Sequence, residues 1–113
     1  MTNNTIKDEE LAKVNGGTFG KGDSVAPYSI YRYIGKNMIL SIGIGSGAGP
    51  WPVRINNVTG SAHVNVTFTN PTNMPSENDP ISDWGLTKEA DGTYTFDYDR
   101  VFNLNVIWLD EIK

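Results

Sequence analysis

Ser61-Ala62-His63-Val64-Asn65-Val66-Thr67-Phe68-Thr69 (SAHVNVTFT) puts Ala62, Val64, Val66 and Phe68 on one side of an extended chain and His63, Asn65, Thr67 and Thr69 on the other. Successive side chains of a strand point to opposite faces, so the alternation describes a strand with a buried side and a wet side. The same period recurs on both flanks. Met38, Leu40, Ile42 and Ile44 alternate with Ile39, Ser41, Gly43 and Gly45, a second set that shrinks along the strand and invites close approach by a neighbour. Tyr94, Phe96 and Tyr98 alternate with Thr95, Asp97 and Asp99. Phe102, Leu104, Val106 and Trp108 carry the pattern on towards Lys113, which predicts a core position for Trp108. Shorter strand candidates are Val25–Tyr33, Val53–Val58 and Ile81–Leu86.

Turn chemistry separates these runs. Gly45–Pro52 (GSGAGPWP) is too rich in Gly and Pro for a regular ladder, Asn70–Pro80 (NPTNMPSENDP) is a long proline loop, and Asp91-Gly92 is a hairpin signal. About seven short strands joined by such turns predict an all-β domain, an antiparallel β-sandwich in preference to a small barrel. Ala90-Asp91-Gly92-Thr93-Tyr94-Thr95-Phe96 resembles the Asp-Gly-x-Tyr stretch that enters a late strand of immunoglobulin-like domains, where the Tyr forms a corner. That resemblance implies an immunoglobulin-like version of the sandwich.

Helical character is confined to the N-terminal segment, residues 1–17. Thr5 followed by Asp8 has capping-box spacing, and Asp8-Glu9-Glu10 lie where a helix dipole favours negative charge. Ile6, Leu11 and Val14 fall within one arc of such a helix and form a small apolar stripe suited to pockets in a receptor groove. Gly16-Gly17 then supplies a helix stop and a stretch without Cβ atoms that a narrow protease cleft accepts in extended form. The placement of Ile6, Glu10, Leu11 and Val14 ahead of the glycine pair resembles the double-glycine leader of bacteriocin-type precursors. The resemblance implies that a peptidase-containing ABC exporter grips residues 1–17, cleaves after Gly17 and passes the remainder out of the cell by a non-Sec route. Thr18–Ser24 (TFGKGDS) reads as a flexible joint, leaving 25–113 as the β-domain. The alternative for residues 1–17 is an ordinary N-terminal helix on a cytosolic protein.

Composition narrows the partners. The whole chain carries a net charge of −4, and without residues 1–17 it retains seven basic and ten acidic residues, a net of −3. The basic residues are scattered singly, which argues against nucleic acid, and the acidity argues against a cationic membrane-active peptide. No run approaches the roughly 18 consecutive apolar residues of a transmembrane helix. The absence of cysteine excludes disulfides, Cys-based metal sites, a cysteine nucleophile and the thioether rings of lanthionine peptides.

Catalytic signatures are sparse, and no enzyme is expected. His63, the one histidine, lies on the polar side of its strand and reads as solvent-facing. Asp97 and Asp99 share one face of a strand, where paired carboxylates can act as acid and base or hold a hard cation, but more often line a solvated face. No EF-hand spacing is present, and the glycines of Gly43–Gly49 lack the βαβ setting of a dinucleotide site, so neither metal nor cofactor is expected. Trp51, held between Pro50 and Pro52, is either a ligand-facing indole able to stack on a flat apolar face such as a sugar ring, or a core plug. Trp84, between Asp83 and Gly85, is the second candidate ligand contact. Asn65, Thr67, Thr69, Asn103 and Asn105 are expected on outward faces, where uncharged hydrogen-bonding groups suit polyols. The expected function is therefore a secreted bacteriocin-like or signalling effector that binds an extracellular target, a glycan or a cell-surface protein. The alternatives are a secreted carbohydrate-binding or adhesion module and a cytosolic β-domain that is not exported.

Overall fold

Residues 24–43 and 48–112 are described by a computed structural model. The expected leader positions Ile6, Glu10, Leu11, Val14, Gly16 and Gly17, the expected joint before Ser24, and Ile44 lie outside the described residues. Six strands, β1 (Asn37–Ile42), β2 (Ala48–Thr59), β3 (His63–Phe68), β4 (Thr87–Lys88), β5 (Tyr94–Asp97) and β6 (Ile107–Glu111), form one antiparallel sheet in the order β4-β5-β3-β2-β1-β6. A 3-10 helix (Pro27–Tyr33), an α-helix, α1 (Tyr98–Asn103), and the loop that follows β3 supply further core residues. The fold is all-β and sandwich-like. Among the described residues the strands belong to a single sheet, and the two-sheet partition of an immunoglobulin domain is not seen there.

Alternation decides which face is buried. Met38, Leu40 and Ile42 of β1 meet Val53 and Ile55 of β2, Val64, Val66 and Phe68 of β3, Tyr94 and Phe96 of β5, and Ile107 and Leu109 of β6 in one apolar cluster. In β2 the sequence Ile55-Asn56-Asn57-Val58 breaks period two, and a β-bulge between Ile55 and Asn57 restores the phase. Ile55 and Val58 are thus both buried although they are three apart.

Glycine and proline do not keep Ala48–Pro52 out of the ladder. Leu40 pairs with Trp51, Ile39 with Pro52 and, past a second bulge, Ile42 with Ala48. The carbonyl of Pro52 accepts the N–H of Thr69, so its missing N–H faces the same side, where β3 has already ended at Phe68. The lost donor therefore costs only the reciprocal bond to Thr69, at the point where the β2–β3 ladder ends.

Three expected strand segments take other forms. Residues 27–33 form the 3-10 helix because Pro27 presets the first turn and its three-residue repeat buries Pro27 and Ile30. Residues 81–86 wrap into turns, with Trp84 N–H bonded to the Ile81 carbonyl and Leu86 N–H to the same oxygen at 2.9 Å. The third is the run from Tyr94 to Trp108, which α1 interrupts. Asp97 caps this helix through its carboxylate and the N–H of Arg100. Asn105 ends it at φ 62°, while Val106 N–H bonds the Val101 carbonyl and Asn105 N–H bonds that of Phe102, the two bonds of a Schellman motif. This turn shifts the apolar phase: Ile107 and Leu109 enter the core and Leu104 is exposed. Trp108 is half-buried in strand register with Ser41 rather than among the fully buried side chains. Its six-membered ring occupies the space of a Cβ on Gly43, so the close approach invited by the small face of β1 is made by an indole from the adjacent strand.

The Tyr98 hydroxyl ties these parts together. Fully buried, it donates to the Val25 carbonyl at 2.6 Å and accepts the N–H of Leu109 at 3.0 Å. Burial raises its pKa well above the usual phenol value, the N–H of Leu109 opposes the shift, and nearby Asp110 adds to it. Because the folded state favours the protonated phenol, its stabilising contribution is complete below the unfolded pKa of about 10 and is lost as pH rises beyond it. Tyr98→Phe strands one buried acceptor and one buried donor and should cost about 2–3 kcal/mol in chemical denaturation at neutral pH. A pH series should also show a flatter alkaline loss of stability for the variant than for the wild type.

Candidate functional site

Trp51 and Trp84 do not offer a binding platform. They are only 7% and 8% exposed, their ring centroids lie 6.0 Å apart, and Trp51 also meets Phe68 edge-on at 5.7 Å. The ladder pairing of Trp51 with Leu40 turns the indole inward, where the loop before β4 covers it with Trp84. Of the two readings open for Trp51, the structure places it as the core plug.

The Asn and Thr residues of the outer face are largely engaged with one another. Asn56, the bulge residue, donates through Nδ2 to Asn65 Oδ1 and Thr67 Oγ1, both at 2.9 Å. Asn65 donates in turn to Thr93 Oγ1 at 2.8 Å and Thr95 Oγ1 at 3.2 Å. Both N–H bonds of each amide are thus consumed in stitching β2, β3 and β5 together. Thr69 bonds the Pro52 carbonyl, and Asn103 bonds Asp99 within α1. The side-chain N–H groups expected to meet a polyol are therefore already satisfied for Asn65 and Asn103.

Asp97 and Asp99 do not form a carboxylate pair on one strand, because the chain turns helical between them: Asp97 is the cap of α1 and Asp99 lies in its first turn. His63 is exposed opposite Asp97, with Nε2 3.9 Å from the carboxylate. Among the described residues no group of three or more His, Cys, Asp or Glu side chains is placed to hold a metal ion. No helix there is long and apolar enough to cross a membrane.

The candidate site lies instead at the end of the sheet where the β2–β3 turn meets the two helices. Pro27, Tyr28, Tyr31, Ser61, Ala62 and Asp99 line an open pocket of about 310 Å³. The three-residue repeat that buries Pro27 and Ile30 turns Tyr28, Tyr31 and Ile34 outward. Tyr28 is 85% exposed, an uncommon degree for a ring of its size on a folded domain, whereas Tyr31 is anchored. The Tyr31 hydroxyl donates to the Gly60 carbonyl and accepts the N–H of Ala62 at 2.8 Å. Tyr98 N–H then takes the Ala62 carbonyl at 2.9 Å, and these bonds hold Ala62 at φ 62°, a conformation rarely adopted by residues with a side chain. The turn bearing Ser61 is thereby fixed from both helices.

A strand reading of residues 25–33 assigns Tyr28 and Tyr31 to opposite faces and conceals this pocket. Pro27 followed by aromatic residues three apart was the available signal, since a 3-10 helix aligns residues i and i+3. A neighbouring hollow is lined in part by Tyr28, Tyr33 and Glu111, and the Tyr33 hydroxyl donates to the Glu111 carboxylate in its wall. That hydrogen bond raises the pKa of the Tyr33 phenol, with smaller contributions in the same direction from burial and from the Glu111 charge.

The core position of Trp51 has a direct test. Trp51→Ala should lose about 3–5 kcal/mol of stability in chemical denaturation, the cost of truncating a buried aromatic side chain. A loss under about 1 kcal/mol would return Trp51 to the surface.

Comparison with known proteins assigns no family to this geometry: no family model, no curated protein and no solved structure matches the chain.

Proposed function

We propose that the chain is a precursor, cleaved after Gly17 and exported by a peptidase-containing ABC transporter, and that its β-domain acts outside the cell by binding, as a bacteriocin-like or signalling effector. The sequence carries this reading: Ile6, Glu10, Leu11 and Val14 precede Gly16-Gly17 at the spacing of a double-glycine leader. Ser24 Oγ donates to Asp110 Oδ1 at 3.0 Å and Val25 N–H to the Leu109 carbonyl at 2.9 Å. Both lie beyond Gly17, so a cut there leaves them in place. Ile6, Glu10, Leu11 and Val14 would be the residues gripped by the exporter, and Gly16-Gly17 would enter its peptidase cleft. The retained core needs no covalent staple: its apolar cluster spans β1, β2, β3, β5, β6 and both helices.

A second reading, a secreted carbohydrate-binding or adhesion module, gains support from the pocket beside Tyr28, where an exposed aromatic ring, a carboxylate and a hydroxyl converge. Trp51 and Trp84 lend it none.

The peptidase domain of a double-glycine exporter should cut the full chain once, between Gly17 and Thr18, as read by mass spectrometry. Gly16→Ala and Leu11→Ala should both slow the cut. Cleavage elsewhere, or equal cleavage of these variants, rejects the leader assignment in favour of a cytosolic β-domain.

If residues 1–17 serve only as an address, Thr18–Lys113 should fold with the thermal midpoint of the full chain. A fall of more than about 4–8 °C, equivalent to roughly 1 kcal/mol in a domain of this size, would make the segment a structural element instead.

A further inference from the structure

We propose that the pocket between the 3-10 helix, the β2–β3 turn and α1 is a sugar-binding site, in which a pyranose ring stacks on Tyr28 and its hydroxyls bond to Asp99 and Ser61. The proposal rests on the second reading above, that the domain binds glycans, and supplies the place and the chemistry.

Tyr28 contributes little to the fold. It is 85% exposed, and its hydroxyl has no hydrogen-bond partner among the described residues. An aromatic ring left open to water beside a pocket can cover the apolar C–H face of a sugar, recovering burial that folding does not supply. The polar lining suits the rim of the same ligand. Asp99 is exposed, and its Oδ1 accepts one N–H of Asn103 at 3.2 Å, so acceptor capacity remains for hydroxyl donors. Ser61 is exposed and can both donate and accept, and its turn is held on either side by the Tyr31 hydroxyl at Gly60 and Ala62. A site fixed in this way needs little reordering on binding. Its volume of about 310 Å³ lies at the small end of the range for small-ligand pockets and fits one or two sugar residues better than an extended peptide.

The lining also weighs against other small ligands. No Lys or Arg lines the pocket, and Asp99 repels a phosphate or carboxylate. Its aromatic rings come from the 3-10 helix alone, whereas an ammonium cage surrounds its cation with rings on several sides. A neutral, flat ligand rich in hydroxyls remains.

The test uses the full chain on a glycan array, followed by saturation-transfer NMR with free glucose, galactose, mannose and N-acetylglucosamine and with tetramethylammonium chloride. The wild type should retain at least one glycan. Tyr28→Ala and Asp99→Asn should weaken that binding about tenfold or more with unchanged thermal midpoints, while Tyr28→Phe and Leu104→Ala, at an exposed position outside the pocket lining, bind as the wild type does. Midpoints are informative because Tyr28 is not in the core and Asn at 99 keeps an acceptor for Asn103. Glycan binding that survives both Tyr28→Ala and Asp99→Asn would overturn the site while leaving the glycan reading standing. No glycan retained by the wild type would overturn both. Stronger saturation transfer to tetramethylammonium than to any sugar would overturn the sugar assignment in favour of an organic cation.

Discussion

The fold depends on one buried hydroxyl shared between distant parts of the chain. Tyr98 sits where β5 becomes α1, and its oxygen joins the backbone of Val25, ahead of the 3-10 helix, to that of Leu109 in β6. Without it, a donor and an acceptor would face the core unpaired, and an unsatisfied buried polar group costs more than an average hydrogen bond gains. The ring matters as much as the oxygen. It packs edge-on against Phe96 at 6.0 Å and Phe102 at 5.4 Å, so the hydroxyl is presented by an aromatic cluster spanning strand and helix. Its backbone N–H fixes Ala62 in the β2–β3 turn, which extends the same constraint to the pocket wall.

A cysteine-free domain distributes its cohesion between two faces of one sheet. The inner face is apolar and continuous, and the outer face is crossed by the amides of Asn56 and Asn65 bridging three strands. The bulge that brings Asn56 to the amide network also returns Val58 to the core. One inserted residue therefore serves both faces, and the break in period two at Asn56-Asn57 is a feature of the fold rather than a fault in the pattern.

Much of the sheet was legible because alternation is a local signal. Met38, Leu40 and Ile42, then Val64, Val66 and Phe68, then Tyr94 and Phe96, all face the core as their spacing requires. The pattern misled where a helix preserved it by accident: Tyr98 continues the period of Tyr94 and Phe96, and Phe102 is buried as well, so α1 was invisible to periodicity. Its markers were the cap at Asp97 and Asn105 in the left-handed region, which a strand reading treats as ordinary polar residues. Trp51 was ambiguous because prolines on both sides suggest an exposed loop, whereas pairing with Leu40 decides its direction. The pocket was not legible at all, since Tyr28, Ser61 and Asp99 meet only once three separate elements have packed. Residues 1–17, proposed as a leader, carry their pattern entirely in sequence.

The free edges of a sheet are where another chain most readily adds a strand. In this sheet the outer side of β6 is already engaged by Val25 and Tyr98 at both backbone groups of Leu109, and the opposite edge, β4, is only Thr87–Lys88. A partner thus finds little backbone on which to pair. The same economy of exposed edge hinders two copies from joining edge to edge at high local concentration.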